Sequence, residues 1–260
     1  MKKIVCLMVI MAVVGCSRQP SPKHFVVDVL NRMTPVKDQG SSQTCWIYAM
    51  LAAIETEHIM RGDSVNLSAA YLEKMLEHEP AAPANRRGMG ATALYLAAKY
   101  GLVAYDAMRT TDVPMPKRVY MLGAEYTRKE FAHSVSAPGE YVALTSTGDA
   151  PYGERVCLDL PDNWNREHFL NVPIDSLLSM TVSAVRAGRG VCWESKAHAM
   201  SIVGLAHDEH GRQYFVMKNS WGTRRSSDGL DYLSFSYFRK HTVAVEMPAD
   251  AIGATAAGAR

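Results

Sequence analysis

From Cys45 onward, Trp46, Ala49, Met50, Ala53, Ile54 and Met60 return at the three- and four-residue steps of one helix face. Glu55 is expected on the opposite, solvent side, while Glu57 falls on the apolar side and weakens the last turns. Thr44 is a candidate cap and Gly62 a candidate stop. The pattern therefore predicts a helix with Cys45 in its first turn and one buried face. Residues 68–78, capped by Ser68, and 91–100, closed by Gly101, read as two more helices. The stretch 104–172 is less periodic, with a short helix expected over 127–133 and a strand over 140–145. Residues 173–187 are helical, with Pro173 at the first position and Gly188 at the end. After Gly190 the period shortens to that of strands, at 191–193, 198–205, 214–218 and 230–235. Helices first and strands later predict an α+β protein with a helical lobe and an antiparallel sheet lobe, a cleft lying between them.

The first fifteen residues stand apart. Lys2 and Lys3 precede an apolar run over 4–14 that is too short to span a bilayer. Val13-Val14-Gly15-Cys16 resembles the lipobox of bacterial lipoproteins, which implies cleavage before Cys16 and acylation of its thiol. A plain secretory signal is the alternative. On the lipoprotein reading, 1–15 is a signal peptide, 16–30 an anchor and tether, 31–247 the working domain and 248–260 an Ala/Gly-rich tail. The expected place is the bacterial cell envelope, on the periplasmic side, with the membrane reached through the N-terminal lipid.

Hydrophobic residues make up 48% of the chain and charged residues 21%, an ordinary globular balance. A net charge of +2 without a basic tract argues against a nucleic-acid partner. Arg86-Arg87 and Arg224-Arg225 read as solvated loop pairs, and no pattern specifies an oligomeric state. Of the five cysteines, Cys6 would leave with the signal and Cys16 would carry lipid. Cys45, Cys157 and Cys192 remain, an odd number in a compartment that allows disulfides. Cys157 and Cys192 lie in apolar, strand-like pieces and are expected as buried free thiols rather than as a pair.

A thiol attacks as thiolate, and a helix N-terminus stabilises that anion. The base must come from elsewhere in the chain and be oriented by a third group. His198 opens the strand over 198–204, where alternation holds its side chain to one face. The next strand runs directly into Asn219-Ser220-Trp221-Gly222. A turn over 208–211 makes the two strands a hairpin, so the Asn219 amide arrives beside His198. His207 and His210 sit at that turn as exposed residues. No zinc spacing appears, and no metal or cofactor is expected.

These segments resemble the papain superfamily of cysteine peptidases. Pro35-Val36-Lys37-Asp38-Gln39-Gly40 with Thr44-Cys45-Trp46-Ile47-Tyr48-Ala49 is similar to its nucleophile segment; His198-Ala199-Met200 and Lys218-Asn219-Ser220-Trp221-Gly222 are similar to its histidine and asparagine segments. Their order matches, and the Cys-to-His separation is close to the roughly 130–150 residues of that family. A closer similarity is to the bleomycin hydrolase and aminopeptidase C branch. It is carried by Ser41-Ser42-Gln43-Thr44-Cys45, Leu67-Ser68-Ala69-Ala70-Tyr71-Leu72, Lys99-Tyr100-Gly101-Leu102-Val103 and Asn171-Val172-Pro173-Ile174-Asp175.

The resemblance implies a papain-like fold and hydrolysis of peptides or proteins. Cys45 would be the nucleophile, His198 the base and Asn219 its orienter, with Trp221 shielding the His198–Asn219 bond. Gln39 and the Cys45 N–H would form the oxyanion hole, and Gly88 would pair with an extended substrate. Aminopeptidase action stays open, since bleomycin-hydrolase relatives use a C-terminal arm and a ring-building insertion that this chain has no room for. Two alternatives remain: a cell-wall peptide hydrolase, and a non-catalytic peptide-binding protein on a peptidase fold.

Overall fold

The computed structural model describes residues 24–121, 123–223, 226 and 228–252. Six helices and eleven strands follow one another as β1 (Phe25–Leu30), α1 (Cys45–Arg61), α2 (Ala69–Met75), α3 (Gly90–Tyr100), β2 (Val119–Met121), β3 (Ala124–Tyr126), α4 (Arg128–Val135), β4 (Tyr141–Thr145), β5 (Arg155–Cys157), β6 (His168–Asn171), α5 (Ile174–Arg186), β7 (Val191–Ser195), β8 (Ala199–Asp208), β9 (Gln213–Lys218), β10 (Leu230–Ser234), α6 (Phe235–His241) and β11 (Thr242–Pro248). The architecture is α+β, as the sequence predicts.

The predicted helices form at their predicted places, and several end on recognisable chemistry. Ser68 caps α2 by accepting the Tyr71 N–H, and Thr127 and Glu130 form a reciprocal capping box at α4. Gly62 closes α1 at φ 101°, where a side chain would be strained. Thr44 departs from expectation. It precedes α1 without a side-chain cap, because its hydroxyl is drawn instead to Glu73.

Helix α1 is buried almost all round over Trp46–His58, not along one face. Glu55 lies at 0% exposure, so its expected solvent position is corrected. Its carboxylate is satisfied inside the protein. Thr34 Oγ1 donates at 2.5 Å and the Leu67 N–H at 2.6 Å, and the Lys37 ammonium completes the shell. Lys218 joins from β9 at 3.7 Å, itself donating to Thr34 at 2.6 Å. Glu57, also buried, binds the Arg189 guanidinium at 2.8 Å and the Gly190 N–H at 2.9 Å. Apolar periodicity cannot reveal such charges, because their partners come from distant segments.

The main sheet has nine strands in the order β10-β9-β8-β7-β11-β4-β6-β5, with β1 added to β8. All neighbours are antiparallel except β4 and β6. Long strand β8 pairs with β7 over its first half and with β1 over its second, and on its other edge with β9 from Ser201 to His207. Phe25–Leu30 is thus a sheet strand and not tether, a correction to the 16–30 boundary. Its exposed Val26, Val27 and Leu30 had hidden the alternation. Residues Ala249–Ile252, read as tail, form a short helical turn with Ile252 packed on the α5 side of the core.

One core gathers α1 to α4 around Trp46, Ile54, Tyr71 and Leu96. A second lies where α5 and α6 cover the sheet, around Trp193, Phe215, Phe238 and Val245. The two meet along α1, which abuts the start of β7. A Cβ on Gly190 would come 1.9 Å from the Ala53 carbonyl oxygen, so only glycine permits this approach. Cys157 and Cys192 are both free thiols, as expected, but only Cys192 is buried, Cys157 being part-buried. Among the described residues no helix is long and apolar enough to cross a membrane. The segment 1–23, with Cys6 and Cys16, most of the Ala/Gly tail, and the Arg224-Arg225 pair lie outside the described residues.

Candidate active site

Cys45 is the first residue of α1, and its thiol shares a cavity of about 240 Å³ with His198, Gly88 and Trp46. The hairpin of β8 and β9 delivers the other polar groups. His198 stands one residue before β8, and Asn219 one residue after β9. His198 Nε2 lies 2.9 Å from Asn219 Oδ1. The Asn219 amide nitrogen donates to Asp231 on β10 at 2.6 Å, so its oxygen is the end that faces the imidazole. An amide oxygen only accepts, which assigns the proton to Nε2 and leaves Nδ1 as the basic nitrogen. Trp221 stacks on the imidazole with ring centroids 4.4 Å apart and planes 20° from parallel.

A second loop is zipped onto this one. The Gln39 N–H donates to the Ser220 carbonyl at 2.8 Å, and the Gly222 N–H to the Lys37 carbonyl at 3.2 Å. Ser220 Oγ donates to Gln39 Oε1 at 2.5 Å, and Gln39 Nε2 donates to the Ser42 carbonyl at 2.5 Å. The side-chain amide is thereby held by both ends, with a second hydrogen on Nε2. Beneath the loop, the buried ion group of Glu55, Lys37 and Lys218 ties it to α1 and β9. Burial lowers the Lys218 ammonium to about 8, against the pull of Glu55.

Burial also pushes the Cys45 thiol up, and the Glu194 carboxylate adds to that, while the Ala199 and Trp46 backbone and the Arg87 guanidinium pull down. The net direction is upward, toward the neutral thiol, so ionisation calls for a base.

Gly88 lines the cavity, and a Cβ there would sit 2.7 Å from the Trp46 ring. Its neighbour Arg87 is not a solvated loop charge. The guanidinium binds Asp162 through contacts of 2.7 to 3.1 Å and donates to the Lys196 carbonyl at 2.7 Å. Arg86 donates to the Glu73 carbonyl at 2.6 Å. His207 pairs with Asp28 at 2.9 Å at the hairpin end, away from any metal arrangement.

The chain is 26% identical over 212 residues to the viral cathepsin of Adoxophyes honmai nucleopolyhedrovirus, covering 80% of this chain and 56% of that protein. It is 26% identical over 204 residues to papain of Carica papaya, covering 76% of this chain and 50% of papain. Among solved structures, PepW of Lactobacillus rhamnosis superposes with a TM-score of 0.67 at 14% identity, over 87% of this chain and 82% of that one. The chain is thus similar in sequence to papain-like cysteine proteases and shares their fold. Procathepsin L 3 of Tenebrio molitor shares the papain-like fold at a TM-score of 0.53 and 19% identity, over 90% of this chain and 71% of that one. No protein-family model matches. The chain spans about half the length of the curated relatives it matches.

Within this papain-like fold, the structure brings Cys45 and His198 to one cavity, with Asn219, Trp221 and Gln39 on the zipped loops beside it. Three site residues escaped the sequence: Asp231, which fixes the Asn219 amide; Asp162, which holds Arg87; and Glu194, which lines the cavity. None carries a local motif. Asp231 falls inside the predicted strand 230–235 and Glu194 one residue past the predicted strand 191–193.

Proposed function

We propose that the protein is a cysteine peptidase in which His198 draws the proton from Cys45 as substrate arrives, and the thiolate attacks the peptide carbonyl. The single observation that supports this reading best is the chain of contacts from Asp231 through Asn219 to His198, beside the cavity that holds Cys45. Asn219 holds the ring in the tautomer that leaves Nδ1 basic, and stacked Trp221 keeps water from that bond. Attack forms the carbon–sulfur bond and a tetrahedral oxyanion. The Cys45 N–H and the second hydrogen of Gln39 Nε2 receive its charge. His198 then returns its proton to the leaving amine, and water hydrolyses the thioester with His198 again as base. Substrates are peptides or proteins in extended form, lying along Gly88.

The bleomycin hydrolase resemblance adds aminopeptidase action as a narrower form of this proposal. Mapping cleavage positions in a digested peptide library tests it: single residues released from N-termini support it, and internal cuts contradict it. Gln39→Ala should lower kcat by about 10²–10³, with KM little changed, because the oxyanion exists only after attack. A change confined to KM would remove Gln39 from that role.

The lipobox-like Val13-Val14-Gly15-Cys16 supports a lipid-anchored protein of the bacterial envelope. The full chain should fractionate with membranes and Cys16→Ser should not be acylated. Unmodified, freely soluble parent protein would refute the anchor.

A further inference from the structure

Two carboxyl groups beside the Cys45 cavity have no part in the chemistry above. Glu194 on β7 lines the cavity, and Glu246 on neighbouring β11 lies behind it. They are 4% and 0% exposed. Glu194 accepts the Gly90 N–H at the start of α3, but neither oxygen of Glu246 has a hydrogen-bond partner. A Cβ on Gly90 would lie 2.7 Å from Glu246 Oε2 and 2.8 Å from Glu194 Oε1, so both acids face one spot over a bare glycine. With the Cys192 sulfur, their ligating atoms all fall within 4.8 Å of one another.

Two buried carboxylates this close need a positive charge or a proton. Burial raises Glu246 to about 7, and burial together with Glu246 raises Glu194 well above the usual range. Both shifts favour a proton shared between the two carboxyls over two adjacent charges. Nearby cations do not meet this need: Arg87 is committed to Asp162 by three contacts, and Lys196 is exposed at the rim. The cavity is the remaining approach, and it is wide enough at about 240 Å³ for a long side chain.

We propose that this cavity is a subsite for a cationic substrate side chain, lysine or arginine, close to the scissile bond, with Glu194 as its immediate counter-ion and Glu246 as the charge behind. The inference rests on the peptidase reading of the same site. The incoming cation takes the place of the shared proton, which leaves to solvent, so charge balances without a co-reactant.

Paired peptides that differ only in lysine against norleucine, placed at each position flanking the cleaved bond, test this. The parent enzyme should prefer lysine at one position by at least tenfold in kcat/KM. Equal rates, or a preference for norleucine at every position, would overturn the subsite. Glu194→Gln should shrink the ratio below threefold, and Glu246→Gln should shrink it in part; an undiminished ratio in folded Glu194→Gln would overturn the assignment. Calorimetric titration of the same peptides into Cys45→Ala protein separates this inference from the activity. Tenfold tighter binding of the lysine peptide without any cleavage by the parent would keep the subsite and remove the peptidase reading. Binding without preference would remove the subsite whatever the activity.

Discussion

Replacing Cys45 by alanine is expected to lower peptide hydrolysis by at least about a thousandfold, since residues that act as a unit fail together when the nucleophile goes. The fold should survive. Cys45 is only part-buried at the edge of the helical core, and the substitution removes one sulfur with its contacts to the Ala199 and Trp46 backbone. Alanine also has the higher helix propensity. The parent and the variant should therefore melt within a few degrees of each other while differing in kcat/KM. Activity within tenfold of the parent would end the thiol mechanism.

Glu55→Ala should be the most damaging change outside the reacting groups, at about 3–5 kcal/mol, because breaking one side of a buried ion pair strands the other. The carboxylate is the shared acceptor for Lys37, Thr34 and the Leu67 N–H, with Lys218 at 3.7 Å. Its removal leaves Lys218, 4% exposed along its side chain, without a counter-charge. A methyl group cannot fill the volume, so a cavity adds to the cost. The loop carrying Gln39 hangs on Lys37, so activity should fall even in the fraction that folds. Chemical denaturation measures the loss directly. A change below about 1 kcal/mol, the usual size for exposed pairs, would mean the group is not a structural tie.

That ion group also marks where sequence reading ends. Helix positions, the hairpin of His198 and Asn219, and the cysteine at a helix start were legible because each follows from local period, turn chemistry or motif. Glu55 was misplaced because helical period assigns a face, and α1 has no free face to assign. Strand β1 was missed because it forms an edge with three of its five apolar residues exposed, and β11 because nothing in Thr242–Pro248 alternates clearly. The segments forming the site are far apart in the chain. Motif order could announce Cys45, His198, Asn219 and Gln39, but not Asp231, Asp162 or Glu194, whose roles arise only when strands settle into register. The upward shift of the Cys45 thiol was likewise invisible, since it comes first from burial in the packed fold.

The central claim is that Cys45, ionised by His198, is the group that attacks a peptide carbonyl. A peptide bearing a mild thiol-directed electrophile in place of its scissile bond tests this most directly, with the modified residue identified by mass spectrometry. The folded protein should take up one equivalent at Cys45 and lose peptide hydrolysis in step, while His198→Ala protein reacts at least a hundredfold more slowly. Cys192, which is buried, should react only after denaturation, and Cys157 far more slowly than Cys45. Labelling that falls equally on the three thiols, or full labelling of Cys45 that leaves hydrolysis intact, would contradict it.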